Sequence, residues 1–540
     1  MSRSTTAACW GLVIALLGFL TSVGCNPILG IHEKRPAGDA AVDSASFQLA
    51  LGNPRARVVT GQRVSVQVTV QRTVGFGDAI SALVSGLPIG ITVDALTFPP
   101  SETTGALVIH ASGSAELGRA SLVLVGASAG QSSPPLSLEL IVQGPPGSRD
   151  VTFGDAGRVV LSLAGVTDQG LGPGGVQMEP DGSIILCGHA RTAGTTSSVL
   201  LARLTADGTL DPQFGMGDSG VVLANSAGSS ADACLSAFIR PSGGVLFAGF
   251  ATPTVDAPPD LMTGRYSTLG HPSANFGAGG VVTAHLSDAG STGWCLLAGA
   301  SDSASVVVGG SAGGAPVLVR YLQSAKLDPT FGEGDGIVTL APEGVARSLA
   351  QQSTGALVVG VQSSVFRVQR LTPDGVLDTD FGGGGAAAIG PGGSLTTLLV
   401  RPGDDGILAV GTTVGEGGVT DIAVASLTSS GQPDLSFGTN GWSGVHFALA
   451  DSTPSSAVLQ VDGAVTIAGR TPTDLGQAFS VLRFTPDGSL DGTFGPSGRQ
   501  IFDQGGTAQG ITVDDLGRIV VAGVSGNSSD SSIVVYRLWP

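Results

Sequence analysis

The dipeptide Phe-Gly recurs seven times in the last three-quarters of the chain, and this repetition constrains the fold more than any other feature. Its phenylalanines stand at positions 153, 214, 276, 331, 381, 437 and 494, at spacings of 61, 62, 55, 50, 56 and 57 residues. A second landmark, usually ending in Arg-Leu or Arg-Tyr, runs in phase with it at 201–204, 263–266, 318–321, 368–371, 424–427, 481–484 and 535–538. Seven copies in phase indicate a repeat architecture, in which each small unit buries its apolar face against its neighbours.

Each copy contains about four apolar segments: one after Phe-Gly, two around a central turn, and one that carries the arginine. Asp181-Gly182 and Asp462-Gly463 mark two of these central turns. Two-residue Asp-Gly links favour tight hairpins with positive φ at both residues. Four antiparallel strands in about 56 residues are the content of a propeller blade. The last copy stops two residues after Arg537-Leu538, where a further blade would begin. The pattern therefore predicts a seven-bladed β-propeller over residues 148–540, with a β-helix as the alternative.

An alternating pattern precedes the repeats. Val64, Val66, Val68 and Val70 are separated by polar residues, and the same period of two returns near 122–124 and 136–142. Such alternation places one face of each strand in a core. Six or seven strands of this kind predict an immunoglobulin-like β-sandwich over residues 47–144. Pro145-Pro146-Gly147 is interpreted as a hinge to the repeats.

The N-terminus has the features of an export signal. Arg3 precedes an apolar run from Ala7 to Leu20, which is shorter than the ~20 residues of a spanning helix. Thr21-Ser22-Val23-Gly24-Cys25 resembles a bacterial lipobox, which implies cleavage after residue 24 and diacylation of Cys25. We therefore expect a signal peptide over 1–24 and a lipid-anchored linker over 25–46. A plain secreted form and a retained helix are the alternatives.

The repeats resemble the delta-60 repeat family, whose units read G-x-L-D-x-x-F-G, then D-G-x-I-x-V-A-G, then A-R-L. The closest copies are 205–215, 372–382 and 485–495, each with Asp-Gly, Leu-Asp and Phe-Gly in the family's order. The resemblance covers about residues 148–540 and implies a β-propeller-like bacterial surface or secreted protein. It implies no single activity.

Charge excludes one class of partner. Acidic residues outnumber basic ones by 42 to 25, which gives a formal net charge of −17. Such a chain repels phosphate backbones, so we expect no nucleic-acid partner.

Two charged residues recur once per copy. The arginines are Arg203, Arg265, Arg320, Arg370, Arg483 and Arg537, and the aspartates are Asp150, Asp211, Asp328, Asp378, Asp434 and Asp491. Ser273 replaces the aspartate in one copy and Ser426 the arginine in another. Because a functional site is normally unique, we interpret these residues as structural ion pairs or turn contacts. The phenylalanines are interpreted as packing plugs between blades, with the following glycine allowing a tight bend.

No catalytic residue, metal site or cofactor is predicted. Gly334-Asp335-Gly336 and Asp404-Asp405-Gly406 are interpreted as solvated turns rather than calcium loops. The six histidines, at 32, 110, 189, 271, 285 and 446, lack the spacing of a zinc site. Glu179, Glu333 and Glu416 are unique acidic residues of unknown position.

Three cysteines lie within the repeats. A disulfide between Cys234 and Cys295 is conceivable in an oxidising compartment, but distances between blades favour buried thiols. The odd count leaves Cys187 or another of the three free.

The sequence thus predicts a lipid-anchored protein of the bacterial cell envelope, at the outer membrane or cell surface. Its partners are the membrane, through a diacylglyceryl anchor, and an unidentified protein or glycan. The preferred function is non-enzymatic binding or a structural role. The alternative is an extracellular hydrolase or lyase with its site in the axial channel of the propeller.

Overall fold

The structure, a computed structural model, describes residues 46–540 except 164, 193–195, 218, 227, 300–304, 391, 416–417, 447–450, 475 and 528–529. The predicted signal peptide, Cys25 and nearly all of the linker lie outside these residues. The described chain is all-β, as predicted, with a 3₁₀ turn at Pro496–Gly498. No helix in this part of the chain has the length and apolar character needed to span a membrane.

Residues 47–143 form two sheets that face each other. Their ten strands are β1 (Phe47–Leu51), β2 (Arg55–Val59), β3 (Arg63–Arg72), β4 (Ile80–Ser85), β5 (Ile91–Val93), β6 (Leu96–Phe98), β7 (Thr104–Ala111), β8 (Gly118–Ser128), β9 (Gln131–Ser132) and β10 (Leu136–Gln143). The strand orders are β1-β3-β7-β5 and β2-β10-β8-β4-β6, with β9 beside β8. The alternating valines of β3 and leucines of β8 and β10 share one core. The expected six or seven strands were too few, because β5, β6 and β9 are too short to show alternation.

The rest of the chain forms four-stranded antiparallel units. Unit 1 comprises β12 (Val166–Met178), β13 (Ile184–Thr192), β14 (Ser197–Leu204) and β15 (Val221–Ala224). Unit 2 comprises β16 (Ala231–Ile239), β17 (Val245–Thr252), β18 (Asp260–Tyr266) and β19 (Val281–Ala284). Unit 3 comprises β20 (Ser291–Ala298), β21 (Val306–Ala312), β22 (Ala315–Tyr321) and β23 (Ile337–Thr339). Unit 4 comprises β24 (Val345–Gln351), β25 (Leu357–Gln362), β26 (Phe366–Leu371) and β27 (Ala386–Ile389). Unit 5 comprises β28 (Ser394–Val400), β29 (Ile407–Val414), β30 (Thr420–Leu427) and β31 (Trp442–Val445). Unit 6 comprises β32 (Thr453–Leu459), β33 (Val465–Thr473), β34 (Gly476–Phe484) and β35 (Arg499–Gln504).

Unit 7 is assembled from both ends of the repeat region. It combines β36 (Gly506–Val513), β37 (Ile519–Asn527) and β38 (Asp530–Leu538) with β11 (Arg158–Leu161), which pairs with β38. The expectation that each copy begins a unit with the strand after Phe-Gly was wrong. That strand pairs with the arginine-bearing strand of the preceding copy, as β15 pairs with β14. The first copy therefore donates its leading strand to the last unit.

The first strands of the units contact one another in cyclic order. β12, β16, β20, β24, β28, β32 and β36 each contact the next, and β36 contacts β12. Units 1 and 2 are closer still and share one eight-stranded sheet through parallel bridges from β12 and β14 to β16. Glycines allow this approach, since a Cβ on Gly172 would stand 2.3 Å from the carbonyl oxygen of Leu235.

The close approach of units 1 and 2 determines which cysteines form a disulfide. Cys187 on β13 and Cys234 on β16 form a disulfide with a Cα–Cα distance of 5.7 Å. Cys295 is a buried free thiol. The expectation of buried thiols is confirmed for Cys295 and wrong for Cys187 and Cys234, and the Cys234–Cys295 bond is not formed. It assumed a uniform separation between units and missed the tight contact between units 1 and 2.

The central turns are longer than predicted. The Glu179 N–H donates to the Ser183 carbonyl (2.8 Å) and Gly182 N–H donates to Glu179 (2.9 Å). Gly182 has φ of 87°, and Asp181 is not among the described residues with positive φ. The turn therefore spans 179–183 with one left-handed residue, so the expected two-residue hairpin was wrong.

The sandwich contacts the end of unit 7 where the β36–β37 turn lies. Arg119 pairs with Asp515 at 2.6 Å, and Arg57 donates a hydrogen bond to the Leu516 carbonyl. Pro145–Gly147 is bound into the same end, since Gly495 N–H donates to the Pro146 carbonyl (3.0 Å). The interpretation of this segment as a hinge was therefore wrong.

Candidate functional site

The repeated arginine and aspartate lie together at the end of five of the seven units. Each of these arginines is the last residue but one of the third strand, and the aspartate follows eight residues later except in unit 7, where Asp150 comes from the start of the repeat region. The N–O distances are 3.4 Å for Arg203–Asp211, 2.8 Å for Arg320–Asp328, 2.8 Å for Arg370–Asp378, 3.3 Å for Arg483–Asp491 and 2.8 Å for Arg537–Asp150. The other carboxylate oxygen caps the turn, as Asp328 Oδ1 accepts the Thr330 N–H at 3.0 Å.

The repeated phenylalanine completes this group and connects it to the next unit. The Arg320 guanidinium lies 4.5 Å from the centre of the buried Phe331 ring. Its Nη1 donates to the Pro373 carbonyl of unit 4 at 2.7 Å. A Cβ on Gly375, which follows in the same turn, would stand 2.7 Å from Phe331. The repeated residues thus hold neighbouring units together.

The two departures from the repeat have different outcomes. In unit 5 the arginine is replaced by Ser426, and Arg401 from the β28–β29 turn takes its place, 3.0 Å from Asp434. Ser426 itself donates to the same carboxylate oxygen at 3.0 Å. In unit 2 the half-buried Arg265 faces a loop in which Ser273 stands at the aspartate position, and Ser273 N–H donates to the Arg265 carbonyl at 2.9 Å.

Asp150 makes the equivalent contact across the closure of the ring. It is fully buried and pairs with Arg537 and Arg518, both at 2.8 Å. Burial alone would raise the pKa of Asp150, but hydrogen bonds from Thr152 and the charge of Arg537 outweigh it and lower that pKa. The first repeated aspartate therefore joins the last unit to the start of the repeat region.

An axial cavity opens where the first strands meet. It encloses about 300 Å³ and is lined by residues of β12, β16, β20, β24, β28 and β32. Each first strand carries a β-bulge at the same level, at 172–175, Leu235, Trp294, Arg347, Thr396, Ser455 and Gln509. Bulges re-aim side chains, and four of these residues (Trp294, Arg347, Thr396 and Ser455) line the cavity.

Arg347 and Trp294 form the distinctive pair of this cavity. The guanidinium carbon lies 4.0 Å from the centre of the indole ring. Burial lowers the pKa of Arg347, although an arginine stays protonated in proteins. Beside it, burial raises the pKa of the Cys295 thiol to about 12. A thiol with such a pKa is not a nucleophile at neutral pH.

A second cleft, of about 390 Å³, lies between units 1, 6 and 7 at the end away from the sandwich. Asp168, His189 and Arg470 line it together with Gln509 and Ser531. Burial lowers the pKa of His189, and the charge of Asp168 raises it by less. The cleft thus combines one neutral imidazole with one acidic and one basic side chain.

The other sequence candidates are scattered. Asp335 and Asp404 cap their own turns through the N–H groups of Ile337 and Gly406, both at 2.9 Å. Glu179 is buried against Arg203 at 2.8 Å, and burial raises its pKa. Glu333 lines a groove between units 3 and 4, while Glu416 lies outside the described residues.

Two histidines form matching pairs on units 2 and 5. His285 lies 2.7 Å from Asp260, and His446 lies 2.8 Å from Asp421. No group of three or more His, Cys, Asp or Glu side chains within the described ranges is placed to hold a metal ion.

Sequence reasoning missed Trp294 and Arg347 because it searched for acids, histidines and nucleophiles. One feature of the sequence could have pointed to them. The residue at the bulge position differs from copy to copy, whereas the residues of the repeat framework around it recur.

Comparison with protein families matches four segments, 179–214, 352–381, 403–437 and 460–494, to the family described as "Domain of unknown function (DUF5122) beta-propeller". Comparison with curated proteins found no match.

The solved structures that resemble this chain include the following three. The PQQ-bound aldose sugar dehydrogenase of Streptomyces coelicolor is 13% identical over 73% of this chain and 100% of its own, with a TM-score of 0.33. Domains 4–9 of the surface layer protein SbsC (10% identity, 85% and 82% covered, TM-score 0.15) and the ICAM-5 D1–D4 ectodomain (10%, 91% and 98%, 0.15) also match. These scores are too low to support an argument. The four matched segments, together with the all-β fold, indicate a β-propeller domain in the repeat region.

Proposed function

We propose that the chain is an exported, lipid-anchored envelope protein whose seven units are the blades of a closed propeller that binds a ligand without catalysis. The cyclic contacts of the first strands and the composite unit 7 support seven blades rather than an open stack. Ring closure by a strand from the opposite end of the repeats removes the exposed edges that an open array would have.

The sandwich is proposed to be immunoglobulin-like. Its strand order, β1-β3-β7-β5 facing β2-β10-β8-β4-β6, with β2 parallel to β10, supports this topology. It carries the propeller on one end and leaves the other end, with the cleft of Asp168 and His189, facing away.

One observation carries the choice of binding over catalysis. The residues that line the axial cavity offer hydroxyls, an indole and a guanidinium, and none of them is Asp, Glu or His. General acid–base catalysis needs a group that exchanges its proton near the working pH. Arg347 does not, since its charge is permanent.

Anchoring is proposed through Cys25, with the linker to residue 46 as tether. Two acyl chains hold a protein at a membrane stably, whereas one chain is marginal. The ligand is an exposed protein or glycan of the envelope, and the net charge of −17 disfavours nucleic acid.

Labelled palmitate and membrane fractionation test the anchor. We expect the wild type to incorporate label and to sediment with membranes, and Cys25→Ser to do neither. Cys295→Ser is the matched control, because that thiol is buried and should not accept lipid. Membrane association of Cys25→Ser would contradict the lipid anchor.

The cleft of Asp168, His189 and Arg470 favours a second candidate, an extracellular hydrolase or lyase. A neutral imidazole beside a carboxylate can act as a general base. Turnover of a panel of ester and glycoside substrates that His189→Ala abolishes, and Arg63→Gln in the sandwich leaves intact, would establish it. Equal rates for His189→Ala and wild type would exclude this cleft as the active site.

A further inference from the structure

The bulge position differs from the rest of the repeat in one respect. The phenylalanines and most of the arginine–aspartate pairs are the same from unit to unit, because each performs the same packing task. The six single-residue bulges carry Leu235, Trp294, Arg347, Thr396, Ser455 and Gln509. Because this position keeps its backbone geometry while its side chain changes from copy to copy, it gives the ring a set of side chains that occurs only once.

Arg347 is the cation of this ring. It lies on β24, and the adjacent β20 supplies Trp294, whose ring takes one face of the guanidinium at 4.0 Å. No ion pair or hydrogen bond joins this guanidinium to another residue of the described chain. The repeated arginines at the ends of the units differ in this respect, since Arg203, Arg320, Arg370, Arg483 and Arg537 all contact a carboxylate.

Hydroxyl groups surround the rest of the cavity. Thr396 and Ser455 come from bulges, and Ser236, Thr397 and Ser456 lie beside them on the neighbouring first strands. The cavity volume of about 300 Å³ is at the small end of the range for small-molecule sites. A confined cation with hydroxyl donors and no facing carboxylate favours an anion with several acceptor oxygens.

We propose that the axial cavity binds a small oxyanion, a phosphate or a carboxylate, held by Arg347 on its indole platform and by the surrounding hydroxyls. This inference rests on the proposed binding function, and the oxyanion is a group carried by the envelope protein or glycan proposed as the ligand. The guanidinium supplies charge-assisted hydrogen bonds, while Trp294 fixes its plane so that less freedom is lost on binding.

Tryptophan fluorescence of the purified full chain is the test, with inorganic phosphate and acetate as separate probes. We expect a saturable change for at least one probe, weaker at high salt, and the stronger probe identifies the source of the oxyanion. Arg347→Met should weaken binding at least about tenfold, since hydrogen bonds to a charged group are lost. Arg347→Lys should retain part of the affinity.

Arg63→Gln, which removes an exposed cation from the sandwich, is the matched control and should bind as the wild type does. The melting temperature of each variant reports whether it is folded. Saturable binding that Arg347→Met leaves unchanged, or no saturable change with either probe in the folded wild type, would overturn the proposal. If oxyanion binding fails but the envelope function is right, palmitate labelling of the wild type remains positive. The failure of this proposal can therefore be told apart from the failure of the proposed lipid anchor.

Discussion

Replacing Asp150 with alanine should remove the electrostatic contact that closes the ring. The carboxylate is fully buried and accepts hydrogen bonds from Arg537 Nε (2.8 Å), Arg518 Nη1 (2.8 Å) and the Thr152 hydroxyl (2.7 Å). Arg518 retains Asp514 at 2.6 Å, whereas Arg537, whose side chain is 4% exposed, loses its carboxylate. Breaking a buried pair on one side costs about 3–5 kcal/mol.

This cost converts into a measurable change in melting temperature. An unfolding entropy of about 2.1 cal/mol/K per residue, summed over a propeller of about 390 residues, is roughly 0.8 kcal/mol/K. A loss of about 4 kcal/mol therefore lowers the melting temperature by about 5 °C, measured by calorimetry on the folded variant.

Asp378→Ala is the matched control at the same position of an internal unit. Its side chain is 25% exposed and that of Arg370 is 17% exposed, so water can solvate the Arg370 guanidinium when the carboxylate is removed. We expect a loss of about 1–2 kcal/mol there. If Asp150→Ala lowers the melting temperature no more than Asp378→Ala does, the closing contact has no special weight and the reasoning is refuted.

The dependence on pH gives an independent check. Because the pKa of Asp150 is lowered by folding, its contribution is fully present above the unfolded value near 3.8 and is lost as pH falls through the folded value. The difference in stability between the wild type and Asp150→Ala should therefore shrink on acidification below about pH 4.

Two further predictions concern units 1 and 2. The double variant Cys187→Ala with Cys234→Ala should lower stability by up to about 4 kcal/mol, from the loop entropy of a 47-residue separation. Cys295→Ala under the same conditions is the control, since it removes a buried thiol but no disulfide. Equal melting temperatures of the double variant and the wild type would contradict the disulfide. Hydrogen bonds and charge from Asp260 and Asp288 raise the pKa of His285, so its stabilising contribution is present below pH 6.5 and is lost as pH rises through the folded value. In Asp260→Asn, NMR titration should show the pKa of His285 closer to 6.5 than in the wild type. An unchanged pKa would show that Asp260 is not the cause of the shift.

The repeat framework was predictable because its residues serve contacts that recur. Every phenylalanine at the Phe-Gly position is buried, and burial of a large ring in a tight bend leaves a fixed spacing in the sequence. The all-β class and the β-propeller repeats are confirmed. The replacement of one arginine by Arg401 was not predictable, because it comes from a different turn and only the fold brings it to Asp434.

The candidate site was less accessible to sequence reasoning. Arg347 and Trp294 are 53 residues apart in the sequence, and no feature of the residues around either one indicates that their side chains meet. Their contact depends on a bulge in each strand and on the order of strands around the axis. Neither property has a local residue signature.

The sequence by itself determined the β class and the residues that pack within each repeat, since strand alternation and turn residues act over short distances. Tertiary structure decided which strand completes the last unit, which cysteines bond and which variable side chains share the axial cavity. Each of these depends on how far apart two distant segments lie, and that distance is set only when the units close on one another.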